Sequence, residues 1–522
     1  MKRKLLAILT AVCMTATFVG GSATVWAAQE ESAAKDEVIV TMPTTSEPEA
    51  GFDPAYGWGA GEHVHEPLIQ STLTVTNKDL SIGMDLATDY SVSEDGLTWT
   101  VKIRDDVKFT DGEPLTAEDV AFTYNNCRDN SSVNDFSMLK EAVAVDDTTV
   151  EFHMNTPFAV WPYTMAIVGI VPEHAYDENY GQNPIGSGRY IMKQWDKGQQ
   201  VIFEANPDYY GEAPTMKKVT VLFMEEDAAL AAAQSGTVDV AHTAASYSDM
   251  SVDGYDLFSV QTVDNRGFNL PATAAEEIDG VTYGNDFTSD VEVRRAINIG
   301  IDRDEMIRNV LNGYGTPAYS VCDKMPWYNE EAEVEYDQDK AKELLEAAGW
   351  EAGDDGIREK DGKKLVVKWL TYPSRQELPL LAESAQATLK DIGIEVDINC
   401  TADNNSILED PTAWDVYAMA NVQAPTGDPE YWFTVFATSD ATKNSGKYSS
   451  AKLDELEAQL SKEFDEDKRA ELAVQMQQTI LDDNAFVFCS FLKMSMISRS
   501  NVTGYESHAC DYYQVTADLD IN

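Results

Sequence analysis

The sequence predicts an α/β protein of several domains, and three observations carry that prediction. The stretch EDGLTWTVKIRDDVKFTDGEPLTAEDVAFTYN, Glu94 to Asn125, reads as strand, turn, strand, turn and helix, end to end. Further on, Leu365-Val366-Val367, a helical stretch from Leu380 to Ile392, and Ile394, Val396 and Ile398 make a β-α-β unit; such a crossover is right-handed and lays its strands parallel in one sheet. At ~150 residues per domain, 522 residues correspond to about three structural units.

Taken in order, the chain opens with Lys2-Arg3-Lys4, an apolar run from Leu5 to Val19, and small residues ending Val25-Trp26-Ala27. That is the plan of a secretory signal peptide, residues 1–27, cleaved after Ala27. The run is too short to span a bilayer, and no later segment offers the ~20 apolar residues of a membrane helix. The mature chain is therefore read as exported and soluble. Cys13 lacks the small residue that a lipoprotein signal places just before its Cys, which disfavours a lipid anchor. Residues 28–37, rich in Ala, Ser and Glu, form a flexible tether. Val38-Ile39-Val40 then begins the folded part as a strand.

In the stretch from Glu94, Leu97, Trp99, Val101 and Ile103 alternate with Thr98, Thr100, Lys102 and Arg104, the period of a half-buried strand. Asp95-Gly96 and Asp111-Gly112 supply turns. A helix starts near Thr116, whose cap is completed by Asp119 three residues on. Asn183-Pro184-Ile185-Gly186-Ser187-Gly188 leads into strands at Tyr190-Ile191-Met192 and Val201-Ile202-Phe203. After Ala228 comes an Ala-rich helix ending at Ser235-Gly236, then a short strand Val238-Asp239-Val240. Val291 to Leu311 carries apolar residues at helical spacing and stops at Gly313, and Asp339 to Ala348 repeats the device before Gly349.

Composition sets the class. Hydrophobic content of 43% supports sizeable cores, while 38 basic against 90 acidic residues give a net charge of -52. Removing the three basic residues of the leader leaves -52 - 3 = -55. Such a surface repels nucleic acid and anionic membrane; it is a solvated acidic face, or one that steers cationic ligands. A preference for neutral or cationic ligands follows. Beyond Cys13, Cys127, Cys322, Cys400, Cys489 and Cys510 are widely spaced, with no C-x-x-C. They are read as buried free thiols, with one or two disulfides at most.

The search for chemistry returns little. There is no G-x-S-x-G, no phosphate-binding G-x-x-x-x-G-K, no H-E-x-x-H, and six His in all. No cofactor is expected. Glu62, His63 and His65 have the chemistry of a transition-metal site, but two His at that spacing share a face only in an extended segment, and a packed histidine pair is the alternative. Tyr56, Trp58, Trp161, Tyr163, Trp414, Tyr431 and Trp432 lie in Gly-, Pro- or Asp-rich segments. Loop aromatics either line a cleft or pack beneath their own loops.

The stretch from Glu94 resembles the signature of the family 5 solute-binding proteins of ABC importers. Further matches follow in family order: Glu66-Pro67-Leu68, Asn183 to Gly188, Asn206-Pro207-Asp208-Tyr209-Tyr210-Gly211, Ser235-Gly236-Thr237-Val238-Asp239, Val293-Arg294-Arg295-Ala296-Ile297 with Asp302-Arg303, Ala341 to Gly349, and Ile392-Gly393-Ile394. The resemblance implies a type II two-lobed periplasmic-binding fold with an additional third domain. Lobe I would hold residues 38–72, 186–283 and 491–522, the additional domain 73–185, and lobe II 284–490, with hinge closure on the ligand.

The same resemblance implies a non-enzymatic protein that captures a small peptide or a nickel-type metal chelate between its lobes. It would deliver the ligand to the permease and ATPase subunits of an importer, as a monomer. Dipeptide binders of the family place an acidic residue a few positions before a Gly-Asp-Pro to anchor the peptide amine; Pro425 stands there in this chain, and Ala424 to Pro429 looks more like the turn of nickel-complex binders. Arg375 matches a carboxylate-binding arginine, with a surface ion pair as the alternative. The candidate ligand residues are therefore Tyr56 and Trp58 for packing, Arg375 for anionic groups, and Tyr431 and Trp432 for the far wall, with Glu62 and His65 for cations or metal. The competing readings are a secreted hydrolase acting on peptides and a sensor or adhesin on the same scaffold.

Overall fold

The computed structural model describes residues 35–48, 50–56, 68–77, 79–131, 136–243, 247, 250–278, 280–321, 325, 327–424, 427–428, 430–504 and 516–522. Its main sheet has eleven strands in two halves. In the first half Tyr190–Asp196, Gln200–Ala205, Lys218–Phe223, Glu37–Met42 and Val240–Thr243 lie side by side. In the second, Val416–Val422, Val366–Thr371 and Glu395–Cys400 do the same.

Two long strands, Tyr255–Asn269 and Phe486–Arg499, run antiparallel to each other through both halves. Val240–Thr243 pairs with Ser495 to Ser498 of one, and Val416–Val422 pairs with Asp264 to Asn269 of the other. Between the halves the ladder breaks. Gln261 pairs with Lys493, and pairing resumes only at Asn265 with Phe491, an irregularity that bends a strand and re-aims its side chains. Sheet pairing thus passes between the halves at residues 262–264, ahead of the expected lobe boundary at 284.

Each half has its own core. Val38, Val40, Phe203 and Val219 pack in the first. In the second, Phe268, Trp369 and Leu381 cover one sheet face, and Trp432, Met476 and Phe488 cover the other. The β-α-β unit forms as expected, Val366–Thr371 lying parallel to Glu395–Cys400 after the helix Glu377–Lys390.

A separate four-stranded antiparallel sheet, Ala87–Val92, Thr98–Ile103, Thr149–Met154 and Leu139–Asp146, packs against the helix Ala117–Asn130. The predicted alternation holds: Trp99, Val101 and Ile103 are buried. Gly96 and Gly112 take φ of 71° and 97° in the predicted turns. Asp119 completes the cap, its Oδ2 accepting the Thr116 N–H at 2.9 Å while Oδ1 accepts the Glu173 N–H at 3.0 Å.

Two sequence expectations change. The span Val291 to Leu311 is two helices, Val291–Gly300 and Arg303–Asn309, because Asp302 caps the second by accepting the Glu305 N–H at 2.8 Å. The strand expected at Val238 begins instead at Val240. Asp239 just before it uses its carboxylate to accept the Ile39 N–H at 2.8 Å and to pair with Arg499 at 3.0 Å. No helix of the described residues is long and apolar enough to cross a membrane.

Because Asp119 is buried and satisfies two backbone donors, Asp119→Ala is expected to cost about 2 kcal/mol. Denaturant unfolding measures this, and an unchanged midpoint would contradict the assignment.

Candidate functional site

The break between the two long strands positions the charged groups. Just beyond it, alternation sends Asp264, Arg266 and Phe268 to one face, where Phe268 packs edge-on against Trp369 at 4.5 Å. Arg266 is buried and holds two carboxylates. Its Nη1 donates to Asp264 Oδ1 at 2.5 Å and its Nε to Glu377 Oε1 at 2.6 Å. Glu377 opens the helix that Arg375 precedes by two residues. The Tyr372 phenol beside them is pushed up by burial, against the pull of Arg375 and Arg266.

From the first half, the helix Glu226–Gln234 brings Glu226 into this field. Burial, aided by the carboxylates of Glu377 and Glu225, pushes Glu226 up to about 7, and Arg375 opposes the shift. Charged groups of the two halves therefore act on each other across the sheet junction. His242 lies with its Nδ1 3.9 Å from Glu226 Oε1. Burial lowers that imidazole to about 3, so it is neutral and the contact is not an ion pair. The set can receive a cationic group at its carboxylates and an anionic group at the Arg375 guanidinium.

The strand Val416–Val422 runs on into a loop that reaches the four-stranded domain. Gly427 takes φ of +91°, and a Cβ there would meet Thr76 Cγ2 at 2.9 Å. The loop is pinned by Arg469, whose Nη2 lies 3.0 Å from Asp428 Oδ1 and 2.7 Å from Glu430 Oε2, all three side chains being buried. Burial raises Glu430 and Arg469 holds it back. Alongside lies a cavity of about 540 Å³, lined by Tyr90, Trp99 and Tyr163 from one side and by Phe464, Glu466 and Arg469 from the other. The Ala159 N–H donates to Ser461 O at 3.2 Å, and Trp99 meets the Phe464 ring at 5.9 Å, so the two walls touch.

The expected site residues do not gather in one place. Arg375 is at the junction, half-buried. Trp432 is fully buried among Phe433, Phe436, Phe486 and Phe488, a core residue and no cleft wall. Tyr431 is half-buried on the same turn, and Tyr56 is 40% exposed in the segment that follows Asp53. Trp161 and Trp414 are core residues as well. Trp58, Glu62, His63, His65 and Pro425 lie outside the described residues. Among the described residues no group of three or more His, Cys, Asp or Glu could hold a metal ion. Cys127 and Cys489 are buried free thiols and Cys400 is an exposed one; Cys322 and Cys510 fall outside the described set. Sequence reading missed Glu226, Asp264, Arg266 and Glu377. The available signal was the charged pair Asp264 and Arg266 interrupting a strand.

Known proteins give this architecture a context. The model of the bacterial extracellular solute-binding proteins, family 5, middle region, matches residues 81–444. The oligopeptide-binding protein AppA of Bacillus subtilis is 29% identical over 85% of this chain and 84% of its own. Its structure, in complex with a nonapeptide, superimposes with a TM-score of 0.74 at 24% identity, covering 94% of this chain and 99% of that one. NikZ of Campylobacter jejuni, in complex with Ni(L-His), superimposes with a TM-score of 0.78 at 21% identity, covering 94% of this chain and all of that one.

Two expectations follow from the geometry. The folded-state value of Glu226 lies above the ordinary 4.5, so its contribution to stability is fully present below that pH and is lost as pH rises through about 7. Glu226→Gln should therefore raise the melting temperature at a pH of about 8 and leave it unchanged at about 4; equal effects at both would contradict the shift. Arg469→Met leaves Asp428 and Glu430 buried without a cation and should cost about 3–5 kcal/mol by denaturant unfolding. A loss below about 1 kcal/mol would show the pair to be dispensable.

Proposed function

Since the chain belongs to the bacterial extracellular solute-binding proteins of family 5, a family of binding proteins with the type II two-lobed α/β fold, we propose that it captures a small peptide and hands it to the membrane subunits of an ABC importer. A nickel-type chelate is the second reading, favoured by Ni(L-His) in the NikZ structure. The observation that carries the proposal is the main sheet itself. Its halves are joined through two strands whose pairing breaks where they cross, and Glu226 of the first half feels the charges of Glu377 and Arg375 of the second. Such a joint lets the lobes close by a few backbone rotations.

In this reading lobe I comprises 38–72, 186 to the crossing at 262–264, and 491–522. The additional domain is 73–185, and lobe II runs from the crossing to 490. Arg375, Glu226 and Glu377 meet the charged ends of the ligand, while Tyr431 and Tyr56 contribute apolar contact; Trp58, Glu62 and His65 remain candidates from sequence. The protein acts as a monomer, performs no chemistry on its ligand and binds no nucleic acid. It is exported by the cleaved leader 1–27 to the periplasm or cell exterior, where it associates with the permease, a lipid anchor at Cys13 being disfavoured. The capture of ligand distinguishes it from an adhesin, and release of ligand unchanged distinguishes it from a hydrolase.

Native mass spectrometry of residues 28–522, purified from the source cells and again after partial unfolding, tests this. A released peptide, intact on prolonged incubation, is the expected result. A mass that matches a metal chelate and disappears with EDTA would transfer the assignment to metal uptake, and cleaved peptide products would point to a hydrolase.

A further inference from the structure

Two side chains at the crossing have found no use so far. Asn265 and Gln423 are both fully buried, and none of the four nitrogen and oxygen atoms of their carboxamides has a hydrogen-bond partner. A carboxamide offers two donors and two acceptor lone pairs, and leaving such groups unpaired away from water is unfavourable. Buried groups in that state call for a partner, an ordered water or a ligand that satisfies them.

Their placement agrees. Asn265 is the register partner of Asn421 on the neighbouring strand. One step along, the Gln423 N–H donates to Val263 O at 2.9 Å. Residues opposite one another, and those two apart, share a face. Asn265, Asn421 and Gln423 therefore lie together on the face opposite Asp264 and Arg266. Asn421 is half-buried, so this face opens outward between the two enclosed amides. Further on, Gly427 lies against Thr76 and Asp428 is tied by Arg469.

We propose that Asn265 and Gln423 form a carboxamide pair that hydrogen-bonds a peptide group of the ligand, giving N–H to its carbonyl and accepting its N–H. The inference rests on the peptide reading above and deepens it by naming the group recognised. Chemical matching selects that group: a carboxylate would leave both amide oxygens unmet, and a cation would leave both NH2 groups unmet. A neutral peptide group presents one donor and one acceptor in one plane. The pair recognises main chain, so it gives affinity without side-chain preference.

The test uses residues 28–522 stripped of cargo, with Asn265→Leu and Gln423→Met, which keep shape and remove polarity. Calorimetry with a set of synthetic peptides, the source-cell peptide among them if one is released, should show affinity falling about 10-fold for each substitution. The cargo-free melting temperature should stay equal or rise, because unmet polar groups are gone. A peptide with an ester replacing the contacted amide should lose affinity for the parent chain and lose little more with the substituted ones. Unchanged peptide affinity, or a fall in melting temperature with affinity intact, would overturn the pair and indicate a buried structural water while leaving the functional reading standing. Failure of the unsubstituted chain to bind any peptide would overturn the functional reading and the pair with it.

Discussion

The pairing of Tyr255–Asn269 with Phe486–Arg499 is the constraint on which the rest of the structure depends. Each half of the main sheet builds its own hydrophobic core, yet among the described residues the hydrogen-bonded path between halves runs through these two strands. Their ladder breaks between Gln261 and Asn265, at the crossing, and shifts register once more between Arg266 and Gly267 inside the second half. A continuous ladder would fix the halves rigidly, and a loose linker would leave the geometry of facing groups undefined. Two strands whose pairing breaks at the crossing supply a defined axis for the closure proposed above.

The same break determines the electrostatics. It starts the alternation that places Asp264 and Arg266 on one face and Asn265 on the other. On the charged face, Arg266 is held by Asp264 and Glu377. In a poorly solvated place its guanidinium is committed to them, which makes it a positioning residue for the start of the helix Glu377–Lys390. Glu226 approaches from the other half with a carboxyl raised by burial and by like charge. Under the closure proposed above these acidic groups gather, and a cationic ligand group would relieve their mutual repulsion. Away from the crossing, Arg469 pins the loop that reaches the four-stranded domain through its pairs with Asp428 and Glu430.

Much of this fold was legible in the sequence because its signals are local. The alternation of Trp99, Val101 and Ile103, the Thr116 and Asp119 cap, and the β-α-β unit around Leu380 each depend on neighbours within a few residues. Asp302 was legible too as a cap, but helical periodicity running from Val291 to Leu311 masked the break. The site was less legible because its parts converge from remote segments. Glu226, Arg266 and Glu377 meet only through the topology of the sheet. Trp432 was misplaced for a related reason: a Gly- and Pro-rich flank reads as loop, whereas Phe486 and Phe488 from a distant strand, with Phe433 and Phe436 of its own turn, enclose it. The importance of Asn265 and Gln423 lies in partners they lack, which a sequence does not display.

The most direct test of two halves closing on a ligand about these strands is small-angle X-ray scattering of residues 28–522. The same preparation is measured stripped of cargo and then saturated with the peptide released from it. The account predicts a smaller radius of gyration and maximum dimension on saturation, reversed when the peptide is removed. Identical scattering in the two states, with binding confirmed by calorimetry in the same buffer, would contradict closure about the crossing.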